Sequence, residues 1–241
     1  MKILKVILLS LIVALLSGCL YPQDQRSSQQ GPNQEQLERV QAAVAQFQET
    51  TGVLPIATRD ADTPIFRRYP VQFSQIVPGY MSERPANAFE NGGSFHYVLI
   101  DVEEQPTVKL IDLRTARRIQ EFEARLNAYR RENQYAPVDE IIKGEIIRPD
   151  YEELGYDEQP TVESPFHPDH LLPLLLTTQG DVIIDFSLDI QHYIDEFGMG
   201  SFEEGDDLRW LLAEESPFVP AYSKPQTLEN DEIVFIEGDL G

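Results

Sequence analysis

One thiol and four imidazoles are the scarce reactive groups of this chain. Cys19 is its only cysteine, and His96, His167, His170 and His192 are its only histidines. His167-Pro168-Asp169-His170 is the densest cluster. Zinc takes three or four N, S or O donors in a tetrahedral array, and this run offers three. It lies in Pro-rich sequence, however, where spacing sets no common face. A polar turn between strands is the expected role, and metal binding by His167, Asp169 and His170 is left open. His96 sits in a strand-like run and reads as a solvent-facing or hydrogen-bonded residue. Acid–base catalysis needs two carboxylates with different environments. Glu103/Glu104, Glu152/Glu153, Glu203/Glu204 and Asp206/Asp207 are adjacent pairs, but in a chain with 41 acids adjacency carries no weight. Asp206-Asp207 lacks the alternating acids and distal Glu of a calcium loop. Ser164 and Ser216 each precede proline, outside any Gly-x-Ser-x-Gly elbow. The expectation is therefore a non-enzymatic protein, with no catalytic, metal or cofactor-binding residues and no cofactor.

Cys19 is set at the end of a leader. Lys2 and Lys5 come first, and an apolar run from Val6 to Leu16 follows. That run is about eleven residues, against the roughly 20 that a spanning helix needs. A basic start, a short apolar middle and small residues before a cut site read as a secretory signal. Leu16-Ser17-Gly18-Cys19 resembles the lipobox of bacterial lipoproteins. The resemblance implies cleavage after Gly18, a diacylglyceryl thioether on Cys19 and acylation (palmitate or a similar chain) of its new amino group. Two acyl chains give stable anchoring where one is marginal. The mature chain would then hold no free thiol for a disulfide, although an extracytoplasmic setting permits them.

The chain carries 19 basic and 41 acidic residues, a net charge of −22. Loss of Lys2 and Lys5 with the leader makes it more negative still. That sign excludes nucleic acid as a partner, since such binding relies on Lys and Arg neutralising phosphates. It also repels anionic lipid surfaces. Solubility in a cation-rich wall space is the expected consequence, with loose binding of divalent cations the sharper alternative.

Residues 1–18 thus read as signal peptide and 19–33 as lipidated cysteine and flexible tether. The tether is nearly free of apolar residues after Tyr21 and would hold the folded part roughly 20 Å from the lipid. Asn33 suits a helix N-cap. Leu37, Val40, Val44 and Phe47 then form a helical stripe, ended by Gly52. Phe66, Tyr69, Phe73 and Ile76 anchor a Pro-punctuated stretch. Phe95–Asp101 and Thr107–Asp112 read as an antiparallel hairpin turning at Glu103–Pro106. The layout then recurs. At one constant offset Leu37 maps to Ile119, Val40 to Phe122, Val44 to Leu126, Phe47 to Tyr129, Pro55 to Pro137 and Ile56 to Val138. Leu171–Leu176 and Asp181–Phe186 supply the second hairpin. The fold class read from this is α+β: two tandem helix-plus-antiparallel-hairpin units, 34–113 and 114–190. An acidic C-terminal extension, 191–241, follows. In it Leu208–Leu212 suits a short helix and Glu232–Glu237 a final strand. The acidic and Gly content suggests a loosely attached end, and leaves Trp210 and Tyr222 as aromatics free to meet a ligand.

Thr51-Gly52-Val53-Leu54-Pro55 and Pro85-Ala86-Asn87-Ala88-Phe89, set around a helix and a hairpin, resemble the globular heads of type II secretion pseudopilins and type IV pilins. The continuous apolar pilin helix is replaced here by a lipobox and a polar tether, so filament assembly is not implied. Leu16–Arg26, Phe47–Ile56 and Lys109–Arg114 are similar to the YphF-like lipoproteins of Bacillus-type bacteria. That resemblance implies a lipoprotein held on the extracytoplasmic face of the cell membrane, with the membrane as partner through lipid on Cys19. Together these features point to a binding or scaffold module with a possible protein partner. A solute-binding lipoprotein associated with a transporter is the alternative.

Overall fold

The first folded element follows directly from the apolar stripe. The computed structural model describes residues 34–57 and 59–236. The leader, Cys19 and the tether, on which the export and lipidation readings rest, lie outside the described residues. Helix α1 (Gln34–Thr51) buries Leu37, Val40, Ala43, Val44 and Phe47. Gly52 takes φ 77° just beyond it and donates its N–H to the Gln48 carbonyl at 2.8 Å, a left-handed stop that glycine adopts without a Cβ penalty. The Pro-punctuated stretch wraps the core as a single 3-10 turn (Ile65–Arg67) and a four-residue helix α2 (Phe73–Ile76). Phe66, Phe73 and Ile76 point inward.

Strands β1 (Phe95–Ile100) and β2 (Thr107–Asp112) form the expected hairpin, with Tyr97 opposite Leu110 and Leu99 opposite Val108. Side chains alternate between the faces of a strand, and here both faces are covered. Phe95, Tyr97, Leu99, Val108 and Leu110 join α1 in one core. Val98, Ile100 and Ile111 pack instead against Phe66, Ala213, Val219 and Ala221. Segment 69–71 lies along β1, with Val71 donating to the Tyr97 carbonyl. Segment 217–219 lies along β2, with Leu110 donating to the Pro217 carbonyl at 2.9 Å and Val219 to that of Leu110 at 3.0 Å. Both hairpin edges are thereby partly closed, which removes them as templates for further pairing.

Asp112 ends β2 and caps the next helix, α3 (Leu113–Asn133), by accepting from the Arg114 N–H at 2.9 Å. Thr115, Ile119, Phe122 and Leu126 are its buried face. Gln134, at φ 70°, closes its far end. A five-stranded antiparallel sheet follows, built on β6 (Leu171–Thr177). It pairs with β4 (Ile146–Pro149), β5 (Thr161–Glu163) and β7 (Val182–Ile184), and β3 (Val138–Lys143) lies outside β4. The fold is therefore α+β with antiparallel sheets. The β3–β4 hairpin and β5 add to the single hairpin expected after the second helix.

The acidic extension is stitched into both cores. Helix α4 (Ser187–Phe197) runs across the boundary expected at 190/191. Leu208, Leu211 and Leu212, from the segment leading into α5 (Arg209–Glu215) and its first turn, enter the core of α3 and β6. Phe218 enters the core of α1 and β1. Lys109 of β2 reaches across to the end of α5, donating to the Ser216 carbonyl at 2.7 Å, where a cation complements the negative end of the helix. Burial pushes its amine below the ordinary lysine value, with Glu214 and Glu215 opposing. Arg209 is held by Asp207 and by the Ser223 carbonyl at 2.7 Å. Strands β8 (Gln226–Glu229) and β9 (Glu232–Phe235) pair around Asn230 and Asp231, both at positive φ, as a type I′ turn requires. Up to residue 236 the extension is packed where a loose attachment was expected, because apolar anchors are scattered among its acids. Trp210 lies against Phe66 with centroids 5.0 Å apart, and Tyr222 lies under the Arg67 guanidinium at 4.7 Å.

Candidate functional site

The loop from β5 to β6 gathers three of the four histidines. Ser164 folds it: its Oγ accepts from the N–H groups of Phe166 at 2.9 Å and His167 at 3.1 Å. The same hydroxyl donates to Asp189 Oδ2 at 2.7 Å. Asp189 stands in the first turn of α4, fully buried, and its Oδ1 lies 2.6 Å from His170 Nδ1. His167 stacks on His170 with centroids 4.0 Å apart, and His192, one turn beyond Asp189, meets His167 edge-on at 4.7 Å. Glu196 lies 3.2 Å from His192 Nε2. Burial pushes the Asp189 carboxyl above the ordinary aspartate value, and the hydrogen bonds from Ser164 and His170 and the nearby His167 ring oppose it.

The order of the groups decides the chemistry. A serine nucleophile needs imidazole between hydroxyl and carboxylate. Here the carboxylate is between Ser164 and His170, and the Ser164 hydroxyl gives its proton to Asp189 and not to an imidazole nitrogen. Both carboxylate oxygens are spent on orientation, as in the outer partners of ordered imidazoles. Asp169 does not join the group: its N–H donates to His167 Nδ1 at 3.2 Å and its side chain is exposed. Among the described residues no group of three or more His, Cys, Asp or Glu could hold a metal ion. The structure stacks His167 on His170, although the spacing in this Pro-rich run set no common face, and adds His192, Ser164 and Asp189. Asp189 could have been noticed as the one acid between the apolar positions Phe186 and Ile190.

His96 lies apart, half-buried against Phe89 and 3.7 Å from Glu90. Burial pushes its imidazole below the usual histidine value, with Glu90 opposing and Arg59 adding to the shift. Ser216 accepts from the Phe218 N–H at 3.1 Å and braces the extension.

A second feature has no counterpart in the sequence reading. An open groove of about 380 Å³ lies where α3 begins, beside β5 and the start of β6. Arg114, Arg117 and Arg118 line one wall, and Thr161, Glu163 and Leu171 the other. Arg114 is forked onto Asp112, and Arg118 lies 2.9 Å from Glu121. The signal was available: three arginines within five residues of a chain with more than twice as many acids as bases. Among the described residues no helix is long and apolar enough to cross a membrane. No curated protein and no solved structure matches the chain. Residues 33–112, the segment from α1 through β2, match the family model of the YphF family N-terminal domain, and in that segment the chain is similar to the YphF family.

Proposed function

We infer that this chain is a lipoprotein held on the extracytoplasmic face of the cell membrane by lipid on Cys19, and that it serves as a non-enzymatic binding or scaffold module. One contrast carries the reading. Two groups that look reactive in the sequence are used to hold the fold: Ser164 folds its loop, and His170 is held in place by Asp189. The arginines of the groove instead line open surface. The Leu16–Cys19 resemblance supplies the anchor, and the polar sequence of residues 20–33 reads as the spacer that precedes α1. The groove lies at one junction in the fold and not between two closing lobes, which favours a binding module over a solute-binding partner of a transporter.

The test is Cys19→Ala in cells supplied with a labelled fatty acid. The variant should carry no label and leave the membrane fraction, while the wild type is labelled and open to protease on intact protoplasts. Labelling that survives the substitution, or wild-type protein protected inside the cell, would overturn the reading.

A further inference from the structure

We propose that the arginine-lined groove is a binding site for a phosphoryl group; the inference rests on reading the chain as a binding module, and names what it binds. Guanidinium is the side chain best shaped to take two phosphate oxygens at once. Arg114, Arg117 and Arg118 lie at i, i+3 and i+4, which places them on neighbouring turns of one helix face. All three are exposed and line the same groove. They are not equivalent. The Arg114 fork is satisfied by both oxygens of Asp112, and that pair is locally neutral. Arg118 shares one exposed contact with Glu121, a kind of pair worth about 0–1 kcal/mol and easily exchanged. Arg117 makes no ion pair or hydrogen bond among the described residues, so its donors are free for a ligand. The main-chain N–H of Arg114 is already capped by Asp112, so side chains and not the helix end provide the site. Thr161, across the groove, adds a hydroxyl donor.

The setting sharpens the choice of ligand. The chain as a whole is at −22 and repels diffuse anionic surfaces, so only an anion compact enough to enter the groove gains from the arginines. A phosphoryl group fits that description, whether it is free, part of a soluble polymer or carried on a lipid headgroup. Glu163 at the rim opposes a bound anion, and it also raises the basicity of Arg114, after the Asp112 hydrogen bond that dominates there. Removing that carboxylate should therefore tighten binding.

The experiment uses the full mature chain in neutral detergent, titrated with inorganic phosphate by calorimetry. Wild type should bind saturably at one site. Arg117→Gln should weaken binding roughly tenfold or more, the usual loss for a hydrogen bond to a charged group, with an unchanged melting profile. Glu163→Gln should bind several-fold more tightly. Arg131→Gln, exposed at the far end of the same helix, should match wild type. No saturable binding by wild type, or equal loss in the Arg117 and Arg131 variants, would overturn the site, while the fatty-acid label on Cys19 reads the anchored-module reading separately. Vesicles then identify the source. If neutral phosphatidylcholine vesicles doped with an anionic phospholipid displace phosphate in an Arg117-dependent way, the phosphoryl group is a headgroup's; if they do not, it is a soluble one.

Discussion

The α1 unit and the α3 unit present the same helical stripe to their strands, yet they are finished differently. Val40 and Phe122 are both fully buried, and Val44 and Leu126 nearly so. Pro55 and Pro137, which follow the two helices, are both buried as well. Beyond the prolines the units part. The first runs through irregular chain to a lone hairpin, flanked on one edge by its own segment 69–71 and on the other by segment 217–219 borrowed from the extension. The second builds its own five-stranded sheet. A short hairpin is marginal by itself, so the first unit depends on chain far away in sequence, and the difference teaches that the extension is structural.

The largest test removes that extension. A chain ended after Gly198 loses Leu208, Leu211 and Leu212 from one core and Phe218 from the other. Each fully buried side chain of this kind contributes about 1.5–3 kcal/mol, and a whole domain has only about 5–15 kcal/mol in reserve. The truncated chain should show no cooperative thermal transition by near-ultraviolet circular dichroism. A native-like melt would break the comparison, because the first unit would then be self-sufficient.

A smaller test asks how far the two helices correspond. Phe47 is 9% exposed and packs edge-on against Tyr80. Its counterpart Tyr129 is half-buried, its ring turned toward exposed Tyr135. Phe47→Ala should cost about 3–5 kcal/mol in urea unfolding, and Tyr129→Ala about 1 kcal/mol or less. Equal losses would mean that the two stripes bury the same depth of helix.

The two stripes were legible because a 3.6-residue period survives in any context, and β1–β2 because Phe95–Ile100 and Thr107–Asp112 are dense in strand formers with a turn between. The β3–β4 hairpin was not, because Val138-Asp-Glu-Ile-Ile-Lys143 does not alternate and its residues are largely exposed at a sheet edge. In the extension the short helix near Leu208–Leu212 and the strand from Glu232 were legible, but its attachment was not, because composition drowned its few apolar anchors. Of the site, the density of histidine at His167 and His170 was readable, but not the stacking of the two rings, because the Pro-rich spacing set no common face. Asp189 was not, since its partners lie 19 and 25 residues away in sequence, and a contact of that range leaves no local pattern. The arginines of the groove stood in plain view, but what makes them a site is the wall opposite, which only the fold supplies.

The finest contrast between the units is the sign of their pH dependence. The first holds His96, whose imidazole burial pushes below 6.5, facing Glu90 and Arg59. Its unfolded form binds more protons in the window between the folded value and 6.5, so stability there rises with pH. The second holds Asp189, whose carboxyl burial pushes above 3.8, facing Ser164, His170 and His167. Its folded form binds more protons between 3.8 and the folded value, so stability there falls as pH rises. Urea midpoints measured from acid to neutral pH should therefore carry two opposed slopes. His96→Asn should remove the rising one and leave the falling one, and Asp189→Asn the reverse. If Asp189→Asn instead steepens the loss of stability toward neutral pH, the ionised carboxylate is a net support of the loop through His170, and burial is not what governs this corner of the second unit.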